Sequence, residues 1–233
     1  ALAEAIAATG KPVVVLLRHG RALALEGAVR DAPAILATWF LGSQTGTAIA
    51  DVLFGDYSPS GRLPVSFPHR PGQQPFYYNH LATGRPEEPG QSEFKARYRE
   101  TSNTALFPFG HGLTYGQAVY SDLRLSSQTL AWAGQIEISA TVANAGSRAM
   151  EEVVQLYIRD RVASRVRPVR ELKDFQKIAL QPGQSRQVRF VLRREQLEFI
   201  GSDERPTVEA GQFDVWIAPS SIEGLAGAFT LQG

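Results

Sequence analysis

From Val119 to the end of the chain, apolar residues recur at every second position and turn signals cut the alternation into short pieces. The segments "YSDLRL", "IEISATVAN", "VVQLYIRD", "RELKDFQKIAL", "SRQVRFVL", "LEFI", "GQFDVWIAP" and "GAFTLQ" alternate or carry short apolar runs, and "NAGS", "QPGQ" and "EAGQ" separate several of them. A period of two sends successive side chains to opposite faces of a strand. A sheet with one apolar face buries it by packing against a second sheet, so this half of the chain is constrained to an all-β sandwich.

About seven or eight short strands in a stretch of this length is the signature of an immunoglobulin-like or fibronectin type III-like sandwich. Trp216 and Tyr157 are expected as its large core residues. The first part of the chain reads differently. Leu2–Ala8 is Ala-rich with apolar residues at helical spacing, and Gly10 stops it. "PVVVLL" predicts a strand buried on both faces, "ALAL" a second short strand, and "AILATWF", Ala34–Phe40, a third. In "GSQTGTAIADVLFGD", Ser43 and Thr45 are candidate N-caps, Ala48, Ile49, Val52 and Leu53 form an apolar stripe, and Gly55 is a C-terminal stop. The sum is an α/β layer with too few strands to be complete. Between the two halves, "PHRPGQQP" and "TGRPEEPGQSE" are rich in Pro, Gly and Gln, yet Phe76, Tyr77, Tyr78, Phe94, Tyr98, Phe107, Phe109 and Tyr115 recur through the region. A disordered linker has few aromatics, so this is expected to be an ordered loop packed on other surfaces. The expected divisions are 1–67, 68–118 and 119–233.

Composition removes several function classes. A formal net charge of +1 makes neither nucleic acid nor a membrane surface an expected partner. The chain has no cysteine, which excludes disulfides, thiolate metal sites and cysteine nucleophiles. No apolar run approaches the ~18 residues of a membrane span. The opening "ALAEAIAATG" lacks Met and the features of a signal peptide, and reads as a helix entered part-way, as in a fragment.

Among the motifs, Arg18-His19-Gly20 follows a strand in the manner of a histidine phosphatase nucleophile. The other histidines, His69, His80 and His111, lie in the loop-rich middle, so the expected role is a tight turn in which Gly20 supplies positive φ and His19 tolerates it. The arginines Arg159, Arg161, Arg165, Arg167 and Arg170 sit in a stretch bracketed by Asp160 and Glu171 without stacking aromatics, the pattern of a solvated or interdomain loop. Asp51, Asp56, Glu87 and Glu88 show no spacing that would pair two carboxylates across a sugar. The segment Gly42, Ser43, Gln44, Thr45, Gly46 lies where a strand meets a helix, the end of an open α/β sheet at which ligands bind.

Several segments together resemble glycoside hydrolase family 3, in particular its bacterial periplasmic-type β-glucosidases. They are "TGKPVVVLL" with "GRALAL", "AILATWFLGSQTGTAIADVLFGDYSPSGRLPVSFP", "YYNHLATGRP", "RYRETSNTALFPFGHGLTY" and "VVQLYIRDRVASRVRPVRELKDFQKIALQPGQSRQVRF", in the family's order and across essentially the whole chain. The resemblance implies a multidomain parent made of a (β/α)₈-type barrel, an αβα sandwich and a fibronectin type III-like domain. This chain then corresponds to an incomplete αβα sandwich piece followed by the all-β fibronectin type III-like sandwich. It further implies a retaining β-glucosidase, without a cofactor, that removes terminal β-linked glucose from oligosaccharides through an Asp nucleophile and a Glu acid/base. No residue here matches either motif, so no catalytic residue is assigned. The expected partners are the missing barrel and sandwich segment, the parent's β-glucoside oligosaccharide, and a second copy of the chain in a homodimer. The implied location is periplasmic or secreted. The expected margin of the sugar site is Gly42–Gly46 together with Arg97, Tyr98 and Arg99, whose aromatic ring suits a sugar face. The other readings of the chain are a carbohydrate-binding or dimerisation scaffold module, and the histidine phosphatase.

Overall fold

The computed structural model describes residues 1–86, 90 and 93–233. Glu87 and Glu88, weighed above as carboxylates, lie outside the described residues. The N-terminal part holds α1 (Leu2–Ala7), β1 (Val14–Leu17), α2 (Gly27–Arg30), β2 (Ala34–Ala37) and α3 (Thr45–Phe54). The β-rich part holds β3 (Ala118–Leu125), β4 (Thr129–Leu130), β5 (Gln135–Asn144), β6 (Met150–Asp160), β7 (Glu171–Leu180) and β8 (Ser185–Arg193). It continues with β9 (Phe199–Ile200), β10 (Pro206–Thr207), β11 (Gly211–Ala218) and β12 (Leu225–Leu231).

The β-rich part is a two-sheet sandwich. One sheet has the order β4-β12-β11-β6-β7 and the other β3-β5-β8; β9 and β10 form a separate short pair. Alternation does the sorting. Ile136, Ile138, Ala140 and Val142 of β5 and Val188, Phe190 and Leu192 of β8 face Val154, Leu156 and Ile158 of β6 and Phe213, Val215 and Ile217 of β11 in one buried cluster. Phe213 stacks on Phe229 at 5.3 Å. Asn144 closes one end. Its amide donates to the carbonyls of Arg148 (2.7 Å) and Leu180 (3.3 Å), and its carbonyl accepts from the N–H groups of Gln117 (3.2 Å) and Gly146 (3.0 Å). Every polar atom of this buried side chain is thereby matched.

Trp216 is not in this core. It lies on the outer face of β11, half-buried, with the Arg170 guanidinium 4.1 Å from its ring centre. Inward residues at 213, 215 and 217 force 216 outward. Its cross-strand partner Tyr157 also points outward but is fully buried, because residues of the connecting region cover that face.

In the N-terminal part, β1 and β2 pair in parallel with Val14 opposite Ala34. Two strands cannot cover their own faces: Val14 and Leu16 remain exposed and Val15 and Leu17 half-buried, so the expectation of a strand buried on both faces fails within this chain. Residues 22–25, "ALAL", form no strand. The Arg21 and Ala22 carbonyls are taken by His19 Nδ1–H (2.7 Å) and Gln74 Nε2 (2.8 Å), leaving side chains where a ladder partner would be. The third predicted strand is four residues long. At Trp39 the backbone turns to φ 49° and lays the indole 4.3 Å from the His19 ring.

Gly55 ends α3 in the left-handed conformation, φ 84°, as its place in the sequence predicts. The caps at the other end differ from expectation. Gln44 occupies the N-cap, Ser43 makes no cap hydrogen bond, and the Thr45 hydroxyl donates back to the Gly42 carbonyl at 2.6 Å.

Candidate sugar-site margin and domain clasp

The two halves are joined by a clasp built on two adjacent residues of β6. Glu151 and Glu152 point to opposite faces, and both hold the segment that follows α3. The Glu152 carboxylate, 2% exposed, takes the Arg62 guanidinium at 2.7 Å and the Tyr120 hydroxyl at 2.8 Å. Burial, with the neighbouring Glu152 charge second, pushes the Tyr120 phenol far above its usual value, so it stays a donor. Glu151 accepts from Tyr57 (2.8 Å) and Ser60 (3.2 Å) and pairs with Lys177 at 2.7 Å. The Lys177 contact is the chief reason its carboxyl titrates below the ordinary range. Arg148, stacked 5.0 Å from the Tyr115 ring, reaches the Gly55 carbonyl.

The described residues of the connecting region form an ordered strap. Phe67 and Phe107 form an antiparallel bridge, with the Leu106 N–H donating to the Phe67 carbonyl at 2.8 Å. Tyr78 stacks on Phe109 at 4.1 Å, meets Tyr157 edge-on at 6.1 Å, and accepts the Leu172 N–H at 3.2 Å. The Gln155 amide donates to the carbonyls of Gly110 (3.2 Å) and Pro219 (2.6 Å). A side chain at Gly110 would collide with Gln155 and Tyr157, and its φ of 79° also favours glycine. Arg170 bridges Trp216 and Tyr157, and burial pulls its guanidinium down to about 10, still charged at neutral pH. The arginines of the basic stretch are held within the sandwich, Arg161 by Asp214 of β11 at 2.6 Å and Arg167 by Glu171 of β7 at 2.8 Å, while the Arg167 carbonyl and the Val169 N–H bond the connecting region.

The expected margin residues lie in the N-terminal part and in the connecting region, all exposed except Thr45, which is half-buried. Gly42, with φ 67°, Ser43, Gln44, Thr45 and Gly46 form the turn of 3₁₀-helix and the first residues of α3, just beyond the C-terminal end of β2. Arg97, Tyr98 and Arg99 are exposed in the connecting region, where the Tyr98 N–H is fixed to Asn103 Oδ1 at 2.9 Å. Neither group lines the cleft of about 490 Å³ bounded by Arg21, Trp39, Phe76, Tyr77, Tyr78 and Phe109. Motif reading missed this cleft. The signal available was the Trp39 position at the end of a strand and the density of aromatics at 76–78. Its ring walls suit a sugar face or an apolar side chain. Among the described residues no carboxylate lines it, and so none of them forms an acid/base pair there. Asp51 sits half-buried on α3 and Asp56 is exposed in the following turn.

His19 is not a nucleophile. Its ring is 5% exposed, wedged between Trp39 and Phe67, and its Nδ1–H is committed to the Arg21 carbonyl, which leaves no path to a phosphate. Neither His19 nor Gly20 has positive φ, so the turn is held by aromatic packing and one hydrogen bond instead of a left-handed residue.

Residues 1–115 match the model of the glycosyl hydrolase family 3 C-terminal domain, and residues 152–221 that of the fibronectin type III-like domain. The chain belongs to glycosyl hydrolase family 3. A periplasmic β-glucosidase of Salmonella typhimurium is 46% identical over 231 residues, which are 99% of this chain and 30% of that protein. A putative β-xylosidase of Formosa agariphila is 39% identical over 99% of the chain and 29% of its own length. The crystal structure of a Listeria innocua β-glucosidase in complex with glucose superimposes with a TM-score of 0.93 at 36% identity, covering 100% of this chain and 32% of that one. The chain thus spans about a third of the length of these family 3 relatives, and the stretch that matches the family 3 C-terminal domain, residues 1–115, contains the parallel pair β1–β2.

Proposed function

We propose that this family 3 chain is the C-terminal part of a retaining β-glucosidase that removes terminal β-linked glucose from oligosaccharides. In this scheme residues 1–67 complete an αβα sandwich, 68–118 form the connecting strap and 119–233 brace the whole. The periplasmic Salmonella relative supports a periplasmic or secreted location. The upstream part of the protein supplies the nucleophile, the acid/base and most of the sugar grip. This chain supplies the margin, through Gly42–Gly46 and Arg97, Tyr98 and Arg99. The observation that supports the reading is that, among the described residues, no carboxylate lines the aromatic cleft, while the segment after α3 is tied to the sandwich through Arg62 and Glu152.

The test is turnover of an aryl β-glucoside. The purified chain is expected to give none above buffer, and addition of the upstream part of the protein is expected to restore it. Turnover by the chain alone would overturn the assignment. Carbohydrate binding at Trp216 is disfavoured, since Arg170 occupies the face of its ring.

A further inference from the structure

The loop that carries Arg97, Tyr98 and Arg99 has one foot on each domain. At the first foot, the Val169 N–H donates to the His80 carbonyl (3.0 Å) and the Ala82 N–H to the Arg167 carbonyl (3.2 Å), with Leu81 bridged antiparallel to Pro168. Pro168 has no N–H, so the pairing rests on the residues flanking it. At the second foot, Gln73 Nε2 donates to the Ser102 carbonyl (2.8 Å), and the chain then enters the Phe67–Phe107 bridge. Between the feet the loop is pinched. The Ala96 N–H donates to the Arg85 carbonyl at 2.8 Å, and Asn103 ties the Ala96 carbonyl (2.8 Å) to the Tyr98 N–H (2.9 Å). The hydrogen bonds of this neck flank residues 97–99 and lie between the two feet.

The platform beneath the first foot is stiff. It is the connection from β6 to β7, residues 161–170. Arg161 is fixed by Asp214 at 2.9 and 2.6 Å, and the Val162 N–H by Asp160 at 3.2 Å. The Ser164 N–H binds Glu209 at 2.8 Å while its hydroxyl binds the other oxygen of the same carboxylate. Arg167 pairs with Glu171 and lies 4.5 Å from the Phe199 ring centre.

We propose that the β6–β7 connection of the fibronectin type III-like domain determines aglycone specificity. Its two-hydrogen-bond ladder with His80–Ala82 sets where Arg97, Tyr98 and Arg99 stand against the sugar or aryl group beyond the scissile bond. The inference rests on the reading above that this loop borders the sugar site. Ala82 and Val169 are positioning residues and touch no substrate.

Two measurements test it. In the 233-residue chain, Ala82→Pro and Val169→Pro each delete one N–H of the ladder. Trypsin cleavage after Lys95, Arg97 and Arg99 is expected to quicken about tenfold in each, with little further gain in the double variant because both act on one ladder. Ala82→Ser and Val169→Thr keep the N–H groups and are expected to match the wild type. Unchanged cleavage in both proline variants overturns the proposal. If a proline variant does not fold, Tyr78→Phe, which removes only the oxygen that accepts the Leu172 N–H, is expected to move cleavage in the same direction, and its failure to do so also overturns the proposal.

In the full-length enzyme, the same variants are expected to lower kcat/KM for a β-linked glucose disaccharide about tenfold relative to an aryl β-glucoside, with kcat on the aryl substrate unchanged. Equal losses on both substrates would reveal a merely structural role and overturn the proposal. Tyr98→Ala separates the two layers. If it leaves the substrate ratio unchanged, the loop is not at the site and the aglycone claim falls with that reading. If it shifts the ratio while the ladder variants do not, the reading stands and the positioning role fails.

Discussion

Residues 14–17 and residues 154–158 carry similar apolar sequences, "VVLL" and "VQLYI", and have opposite fates. In β6, Val154, Leu156 and Ile158 are fully buried by the facing sheet, and Gln155 and Tyr157 by the strap on the other side. In β1, Val14 is 47% and Leu16 40% exposed, because only β2 lies beside them. Burial belongs to the number of layers available and not to the strand itself. The fibronectin type III-like sandwich brings both of its sheets, whereas the N-terminal piece brings two strands and three short helices whose further partners belong to the family 3 domain it completes.

The clasp is where that contrast is easiest to break. Arg62 is the N-terminal piece's buried contribution to the sandwich, and Arg62→Met leaves the Glu152 charge buried and unpaired. The expected loss is about 3–5 kcal/mol in urea unfolding, and Arg62→Met with Glu152→Met together is expected to cost less than the single change. Strict additivity of the two would show that the pair is not coupled. Next in size, Leu156→Ala opens a cavity in the closed core and is expected to cost about 2–5 kcal/mol. Its counterpart Leu16→Ala should stay within about 0.5 kcal/mol in this chain, since the residue is already wetted. Similar losses at both positions would erase the distinction between the regions.

The smallest effect concerns pH. Glu151 titrates below its ordinary 4.5 through Lys177, then Tyr57. A carboxyl depressed in the folded state stabilises above its unfolded pKa and loses that contribution as pH falls through the folded value. Melting temperature followed from about pH 6 down to about pH 3 should therefore drop slightly less steeply in Glu151→Gln than in the wild type. Parallel curves would remove Glu151 from the clasp. The pair is solvent-exposed, so the difference should be modest.

How far these features could be read in advance depended on how local their cause was. The strands of the sandwich were legible because alternation is a property of neighbouring residues, and Gly55 because a left-handed helix stop needs only one residue type. "ALAL" misled, since a short apolar run fixes no partner, and the carbonyls there went to His19 and Gln74 instead of a neighbouring strand. Glu151 and Glu152 are the same residue type side by side, yet Glu152 is among the most buried polar residues described. Nothing within several residues of Glu152 announces Arg62 or Tyr120, which are 90 and 32 positions away. The margin residues Gly42–Gly46 were suggested by their place between strand and helix. Arg97, Tyr98 and Arg99 were suggested by the family resemblance and an aromatic ring, and no local pattern shows that their loop is footed on two domains.

By itself the sequence determined the class of each half: period two with spaced turns commits residues 119–233 to a sandwich, and helix-period segments around parallel-type strands commit the first part to an α/β layer. Only the tertiary structure decided which polar groups are buried, which aromatics face out and which loop rests on which domain. Periodicity is written along the chain, whereas burial and pairing arise from residues that meet only after the layers close.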